Sequence, residues 1–221
     1  MDNLNALNKI TYGLYIVSAG NKEKGNGYIS NTVFQITSDP IKFAISCNKK
    51  NYTSELIEKH KNLSVSVLKQ NTKSELIGIF GFKTGKDFNK LEGMTVKYGI
   101  TGAPVILDDT IAYLEFKLIE KINQGSHNLY IGELVDSKVI EINGEPLTYD
   151  YYKTVKKGTA PKNAPTYIKK ELPENTNSKI YKCSVCGHIY DDSKEKIKFK
   201  DLPDEWTCPI CGVTKEHFTE I

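Results

Sequence analysis

The sequence predicts a mainly β chain: a barrel with a few helical excursions, then a small C-terminal unit closed around a metal. Three observations carry this reading. Residues 111–119 alternate, with Leu114, Phe116 and Leu118 on one face and Tyr113, Glu115 and Lys117 on the other, the period of a half-buried strand. Five further runs are rich in β-branched and aromatic side chains. Four of the five cysteines stand near the C-terminus as two C-x-x-C pairs.

In chain order, strands are expected at Leu14–Val17, Tyr28–Thr37, Ile41–Ser46, Leu63–Leu68, Ile111–Ile119 and Asn128–Val135. Thr53-Ser54-Glu55 opens a helix that ends at His60-Lys61, with acid and base placed as the helix dipole prefers. Thr72-Lys73-Ser74-Glu75 has the capping-box pattern and opens a second. Strands with short helices between them suggest a barrel. From Lys153 to Ser178 the chain is rich in Lys and Pro, which predicts a linker or a strap over a surface. The expected units are a barrel domain at 1–155, a linker at 156–178 and a C-terminal domain at 179–221.

Composition narrows the function. The net charge of +3 gives no support to nucleic-acid binding. No apolar run approaches the roughly 18 residues of a membrane span. The start, Met1-Asp2-Asn3-Leu4-Asn5, lacks the pattern of a secretory signal, so a cytoplasmic protein is expected. All thirty basic residues are Lys, so any bound anion meets ammonium groups and backbone N–H, not guanidinium. No G-x-G-x-x-G run follows a strand, so a nicotinamide would have to stack in an open cleft. Nothing in the residues separates NADH from NADPH. Cys47, alone on a strand, reads as a small buried hydrophobe.

Cys183-Ser184-Val185-Cys186-Gly187 and Cys208-Pro209-Ile210-Cys211-Gly212 are matching knuckles. Two thiolates three residues apart grip one ion when the chain turns tightly, and the following Gly supplies the positive φ. Two knuckles make a tetrahedral four-sulfur site, which suits Zn²⁺ or a single iron. About forty residues need such a staple to fold. The run Tyr181-Lys182-Cys183-x-x-Cys186-Gly187-x-x-Tyr190-Asp191, with Leu202-Pro203-Asp204-x-Trp206-x-Cys208-Pro209-x-Cys211-Gly212-x-x-Lys215-x-x-Phe218, closely resembles rubredoxin. The resemblance implies one iron on Cys183, Cys186, Cys208 and Cys211, carrying one electron.

In the N-terminal domain, Gly25–Thr32 places small and hydrogen-bonding residues at the mouth of a strand. Ser46–Thr53 follows another strand into a helix start, where Ser, Asn, Thr and Lys could either hold an anion or simply cap the helix. With Phe80-Gly81-Phe82-Lys83-Thr84-Gly85, Thr101-Gly102-Ala103-Pro104 and Gly125-Ser126-His127, these segments resemble, in order, the flavin reductase-like family. That resemblance implies a split β-barrel that binds FMN and usually pairs as a homodimer. It implies that Asn26, Tyr28, Ile29, Ser30, Asn31 and Thr32 line the isoalloxazine edge. Ser46, Lys49, Asn51 and Thr53 would hold the phosphate, and Phe80, Gly81, Phe82 and Lys90 would complete the pocket. His127 would lie near the flavin or nicotinamide as the catalytic candidate, although Ser126 stands where many relatives have Asp.

The two modules in this order resemble the architecture of the high-molecular-weight rubredoxins. The implied function is hydride transfer from NAD(P)H to FMN, then single electrons to the four-cysteine iron and on to an acceptor such as a diiron flavoprotein that reduces O2 or NO; the alternatives are a free-flavin reductase that releases reduced FMN, or a non-enzymatic flavin-binding protein with a structural zinc ribbon. The barrel and linker hold 23 Lys against 19 acids and the tail 7 against 8, so the modules should attract weakly. A tethered, transiently docking iron module is therefore expected.

Overall fold

The structure, a computed structural model, describes residues 4–167 and 179–221. A short 3-10 turn, Leu4–Lys9, leads into strands β1 (Tyr15–Gly20), β2 (Gly25–Ser30), β3 (Val33–Ser38) and β4 (Ile41–Asn48). Helix α1 (Tyr52–His60), strand β5 (Asn62–Leu68) and helix α2 (Ser74–Phe82) follow. Two short strands, β6 (Val96–Tyr98) and β7 (Pro104–Ile106), precede the long pair β8 (Thr110–Gln124) and β9 (His127–Val139), and helix α3 (Tyr149–Thr154) closes the domain. The C-terminal unit holds β10 (Ile180–Cys183), β11 (Ile189–Asp191) and β12 (Phe218–Glu220).

Seven strands form one antiparallel sheet in the order β2-β1-β5-β8-β9-β4-β3. Its two edges, β2 and β3, are consecutive in the chain, so the sheet curls into a barrel that stays split between them. The Tyr28 hydroxyl crosses the split and donates to the Ser46 carbonyl at 2.8 Å. The expected single strand Tyr28–Thr37 is thus two strands. At the break the Thr32 amide turns back on the Ser30 hydroxyl, and the Thr32 carbonyl accepts from the Ser46 amide.

Alternation sorts the core. Leu14 and Ile16 face α2 and α3 in one cluster with Leu76, Ile77, Phe80 and Leu147. Val17 and Ala19 face the barrel interior with Ile45, Cys47, Val65, Phe116, Tyr130 and the Leu56–Ile57 face of α1. The alternation at 111–119 holds, with Leu114, Phe116 and Leu118 facing the interior. On the opposite face only Lys117 of the three is exposed. Tyr113 and Glu115 are buried, because the 96–106 segment folds over them. Thr101 donates to Glu115 Oε2 from its amide at 3.0 Å and its hydroxyl at 2.7 Å. The Cys47 thiol lies wholly in the core, and burial pushes it up to about 12.

Helix α1 spans the expected segment, but the capping box does not form. The Thr72 hydroxyl donates to the Lys69 carbonyl at 2.6 Å, and α2 starts after it, with the Lys73 amide donating to Asp109 Oδ2 at 2.9 Å. Part of the expected linker is a strap. Residues 156–167 run along the barrel and are tied to it by side chains, whereas Lys169, Lys170, Pro173 and Glu174–Ser178 lie outside the described residues. The C-terminal unit is seated directly on α2, with Phe82 packed into its core. The expected weak attraction between the charges is joined there by backbone contact and apolar packing. Among the described residues, no helix is long and apolar enough to cross a membrane.

Candidate functional site

The two C-x-x-C knuckles superpose in chemistry. In the first, the Gly187 amide donates to the Cys183 carbonyl at 2.9 Å and the Cys183 amide to the His188 carbonyl at 2.8 Å. In the second, Gly212 donates to Cys208 at 2.8 Å and Cys208 to Val213 at 2.7 Å. Gly187 and Gly212 have φ of 75° and 72°, the left-handed turn that a Cβ disfavours. The four sulfurs lie within 4.8 Å of one another, with Cys183–Cys211 at 3.8 Å and Cys186–Cys208 at 3.6 Å. A tetrahedral ion with bonds of about 2.3 Å requires sulfurs about 3.8 Å apart, so the donor set fits.

Electrostatics at the knuckles favour a cation. The S–H groups of Cys186 and Cys211, then the Ile210 and Cys211 amides, hold the Cys208 thiolate, well below the usual thiol range. The same contact with Cys208 pushes Cys186 up, so a further ionisation is opposed until a cation enters. Five aromatics, Tyr181, Tyr190, Phe199, Trp206 and Phe218, gather around the knuckles. Phe199 stacks on Tyr181 at 4.2 Å between ring centres and meets Tyr190, Trp206 and Phe218 at 5.4, 5.8 and 5.0 Å.

A cleft of about 1830 Å³ opens at the barrel split and reaches the first knuckle. Asn26, Tyr28, Ile29 and Ser30 of β2, and Asn31 after it, line one wall. Ser46 of β4, with Asn51 and Thr53 at the α1 start, lines a second, and Phe80, Gly81 and Phe82 of α2 with Lys90 line a third. Strand alternation explains the second wall, because Cys47 points into the core and so Ser46 and Asn48 point out. Two expected residues do not line the cleft. Thr32 sits behind the break, its hydroxyl buried and without a partner among the described residues. The Lys49 ammonium turns to the far side of α1 and donates to Asn123 Oδ1, in a separate polar cleft with Glu58 and Lys121. Its neighbour Lys50 faces the main cleft instead.

These walls fit a flavin phosphate. Asn51, at the N-cap of α1, makes no side-chain cap bond among the described residues; its carbonyl takes the Ser54 amide at 3.0 Å, and the Tyr52 and Thr53 amides at the helix start are left for an anion. Asn26 Nδ2 donates to Thr53 Oγ1 at 2.9 Å, leaving the Thr53 proton free to point outward. Lys90 is only 5% exposed, and its ammonium donates to the Gly27 and Phe80 carbonyls, both at 3.1 Å, tying β2 to α2.

Burial lowers the Lys90 ammonium to about 8. Its folded value lies below the unfolded one of about 10.4, so the penalty for burying the charge is present below pH 8 and fades as pH rises. The stability of the protein should therefore gain from Lys90 between about pH 8 and 10.4. Lys90→Met should remove that gain, which urea midpoints at several pH values would read as a flatter difference curve.

His127 reaches the cleft rim, but both ring nitrogens are engaged. Nδ1 lies 2.9 Å from the Ser126 hydroxyl and Nε2 3.1 Å from the Asn163 carbonyl. A carbonyl only accepts, so these partners fix the proton on Nε2 and leave Nδ1 to accept from Ser126. Asn48 Nδ2 donates to the same Asn163 carbonyl at 3.1 Å, and Asn31 Nδ2 to Thr166 Oγ1 at 2.8 Å. The strap is thus the roof of the cleft. Sequence reasoning missed the contributions of Lys50, Asn48 and residues 158–167; a Pro- and Lys-rich run carries no signal for where it packs.

Barrel, cleft and four-sulfur site together define a flavin-type oxidoreductase carrying a mononuclear metal module. The chain belongs to the flavin reductase-like family: its "Flavin reductase like domain" profile matches residues 7–156, and the rubredoxin profile matches residues 180–218. Over 226 aligned positions the chain is 43% identical to the high molecular weight rubredoxin of Moorella thermoacetica, covering 98% of each chain. It is 40% identical over 163 positions to a ferric-chelate reductase (NAD(P)H) of Archaeoglobus fulgidus, covering 74% of this chain and 96% of that one. Among solved structures, the NADH:FAD oxidoreductase of Streptomyces globisporus shares the fold, with a TM-score of 0.59, 18% identity and coverage of 66% and 86%.

Proposed function

We propose that the protein takes electrons from NAD(P)H on FMN and delivers them one at a time, through an iron on Cys183, Cys186, Cys208 and Cys211, to a separate redox protein such as a diiron flavoprotein. The observation that carries this reading is the continuity of the cleft, which the barrel walls and the Cys183–Gly187 knuckle line together. A bound flavin accepts a hydride as an electron pair and releases single electrons, the conversion that a one-electron iron requires of a nicotinamide donor.

The chain's own residues supply binding and exclusion. Lys50, Asn51 and Thr53 hold the phosphate at the α1 start. Lys90 keeps β2 and α2 at fixed separation and would hold an ammonium at the wall beside a bound flavin. His127 and Asn48 hold the strap, which limits water above the ring. The sulfurs form a closed cage with no open position, so the metal module carries charge and binds no substrate. Reduced thiols suit the cytoplasm. Support for the reading comes from a relative named for NAD(P)H and one named as a rubredoxin over nearly the whole chain.

A visible spectrum with metal analysis, then NADH under argon, tests this. Stoichiometric FMN and iron, both bleached by NADH, are expected. A zinc-only protein grown with ample iron would remove the electron-carrier reading.

Pairing is the remaining part of the proposal. Edge strand β3 exposes Phe34 and Ile36, with Ile41 beside them, an apolar strip on an edge left unpaired among the described residues. Light scattering at micromolar concentration should give a homodimer, and a Phe34→Glu, Ile36→Lys variant should give a monomer. A monomeric wild type would remove this part.

A further inference from the structure

We infer that α2 is the docking platform of the metal module, and that Gly78 is the positioning residue that, by seating the Cys208–Gly212 knuckle, sets the approach of the metal module to the flavin cleft. The inference rests on the proposed function and adds to it the surface through which the iron is reached.

Gly78 lies within α2, where glycine is unfavourable by about 1 kcal/mol relative to alanine. Its place is explained by what it faces. A Cβ built there would stand 2.4 Å from the Cys211 carbonyl oxygen and 3.0 Å from the Cys211 Cα. The backbone of a metal-ligating residue thus rests on the bare backbone of the helix. One turn earlier, Glu75 lies against Gly212, where an added Cβ would come 3.1 Å from the Glu75 Cγ. One turn later, Phe82 packs in the cluster that holds all four cysteines, while also lining the flavin cleft. A fourth contact comes from the strap, where Thr159 Oγ1 donates to the Cys186 carbonyl at 3.3 Å. Both knuckles therefore face the barrel, one on α2 and one on the strap and cleft. The helix that carries Phe80, Gly81 and Phe82 to the flavin carries Gly78 to the metal.

The step served is simple in its balance. NADH reduces the flavin by two electrons. The reduced flavin gives one electron to the ferric iron, which becomes ferrous. After an acceptor has re-oxidised the iron, the second electron follows and the flavin's protons return to water. Gly78 takes no part in the chemistry; it fixes the separation across which each electron passes.

The test compares wild type with Gly78→Ala and Gly78→Leu, each loaded with flavin and iron. Two readouts are taken: amide hydrogen exchange at residues 208–213, and stopped-flow reduction of flavin and iron by NADH under argon. Overpacking at a backbone contact should shift the seated fraction about tenfold or more. The variants should lose exchange protection at 208–213, more in Leu than in Ala. Flavin reduction should keep its wild-type rate, while iron reduction falls by a similar factor. Unchanged protection in both variants would overturn the inference, as would lost protection with an unchanged rate of iron reduction. If NADH failed to reduce even the wild-type flavin, the proposed function would fall, while the exchange data would still decide the docking. A variant that lost its barrel would lose its flavin, and Glu75→Trp, at an exposed position against Gly212 and outside the cleft lining, then carries the same comparison.

Discussion

Cys208→Ala is expected to abolish iron binding and unfold residues 180–221, while the barrel keeps its flavin. The reason is the size of the module. Its buried cluster is built around the four cysteines themselves, with Tyr190, Phe199, Ile210 and Phe218 packed against them. So few residues bury too little surface to offset their ordering entropy. A structural tetrathiolate metal supplies on the order of 10 kcal/mol to such a fold. Loss of one ligand leaves three sulfurs that repel when ionised, with nothing to hold them. Metal content, the ferric–thiolate absorbance and proteolysis of the tail report the loss together. A tail that stays protected and metal-loaded would show that three cysteines suffice.

Lys50→Ala should weaken FMN by about tenfold, and Lys49→Ala should leave it unchanged. A charge-assisted contact contributes roughly 1.5–3 kcal/mol, and the exposed position of Lys50 puts its share at the lower end. Riboflavin lacks the phosphate, so neither change should affect it. Calorimetric titration of both ligands into flavin-free protein gives all four numbers. Equal weakening of FMN by both changes, or of both ligands by Lys50→Ala, would move the phosphate away from the α1 start.

That pair of lysines shows where the sequence stops being legible. The two stand side by side and are chemically alike, yet one faces the cleft and the other a pocket behind α1. Their direction depends on how the chain leaves β4, which neither residue encodes alone. The metal site is the opposite case, because C-x-x-C-G fixes ligand, turn and backbone donors within five residues. The strand at 111–119 is readable on its interior face, where apolar residues repeat every second position. Its other face reads as solvent, but of its three residues only Lys117 is exposed, since Tyr113 and Glu115 are covered by a segment whose strands have three residues each. Strands so short carry no period. Thr72 has the capping pattern, but the Asp109 carboxylate, distant in sequence, supplies the bond at the helix start and wins. A strap is one of two readings of the Lys- and Pro-rich run, but where it packs is illegible for the same reason: its partners Asn31, Asn48 and His127 lie more than thirty residues away.

The central claim is that electrons pass from flavin to iron within one seated assembly. Stopped-flow reduction of the iron by NADH under argon, at several protein concentrations and two salt concentrations, measures this directly. Transfer within the assembly gives a rate of iron reduction that does not change with protein concentration and changes little with salt, since the seating contacts at α2 are backbone and apolar. A rate that rises linearly with protein concentration would contradict it, for the electron would then be travelling between molecules.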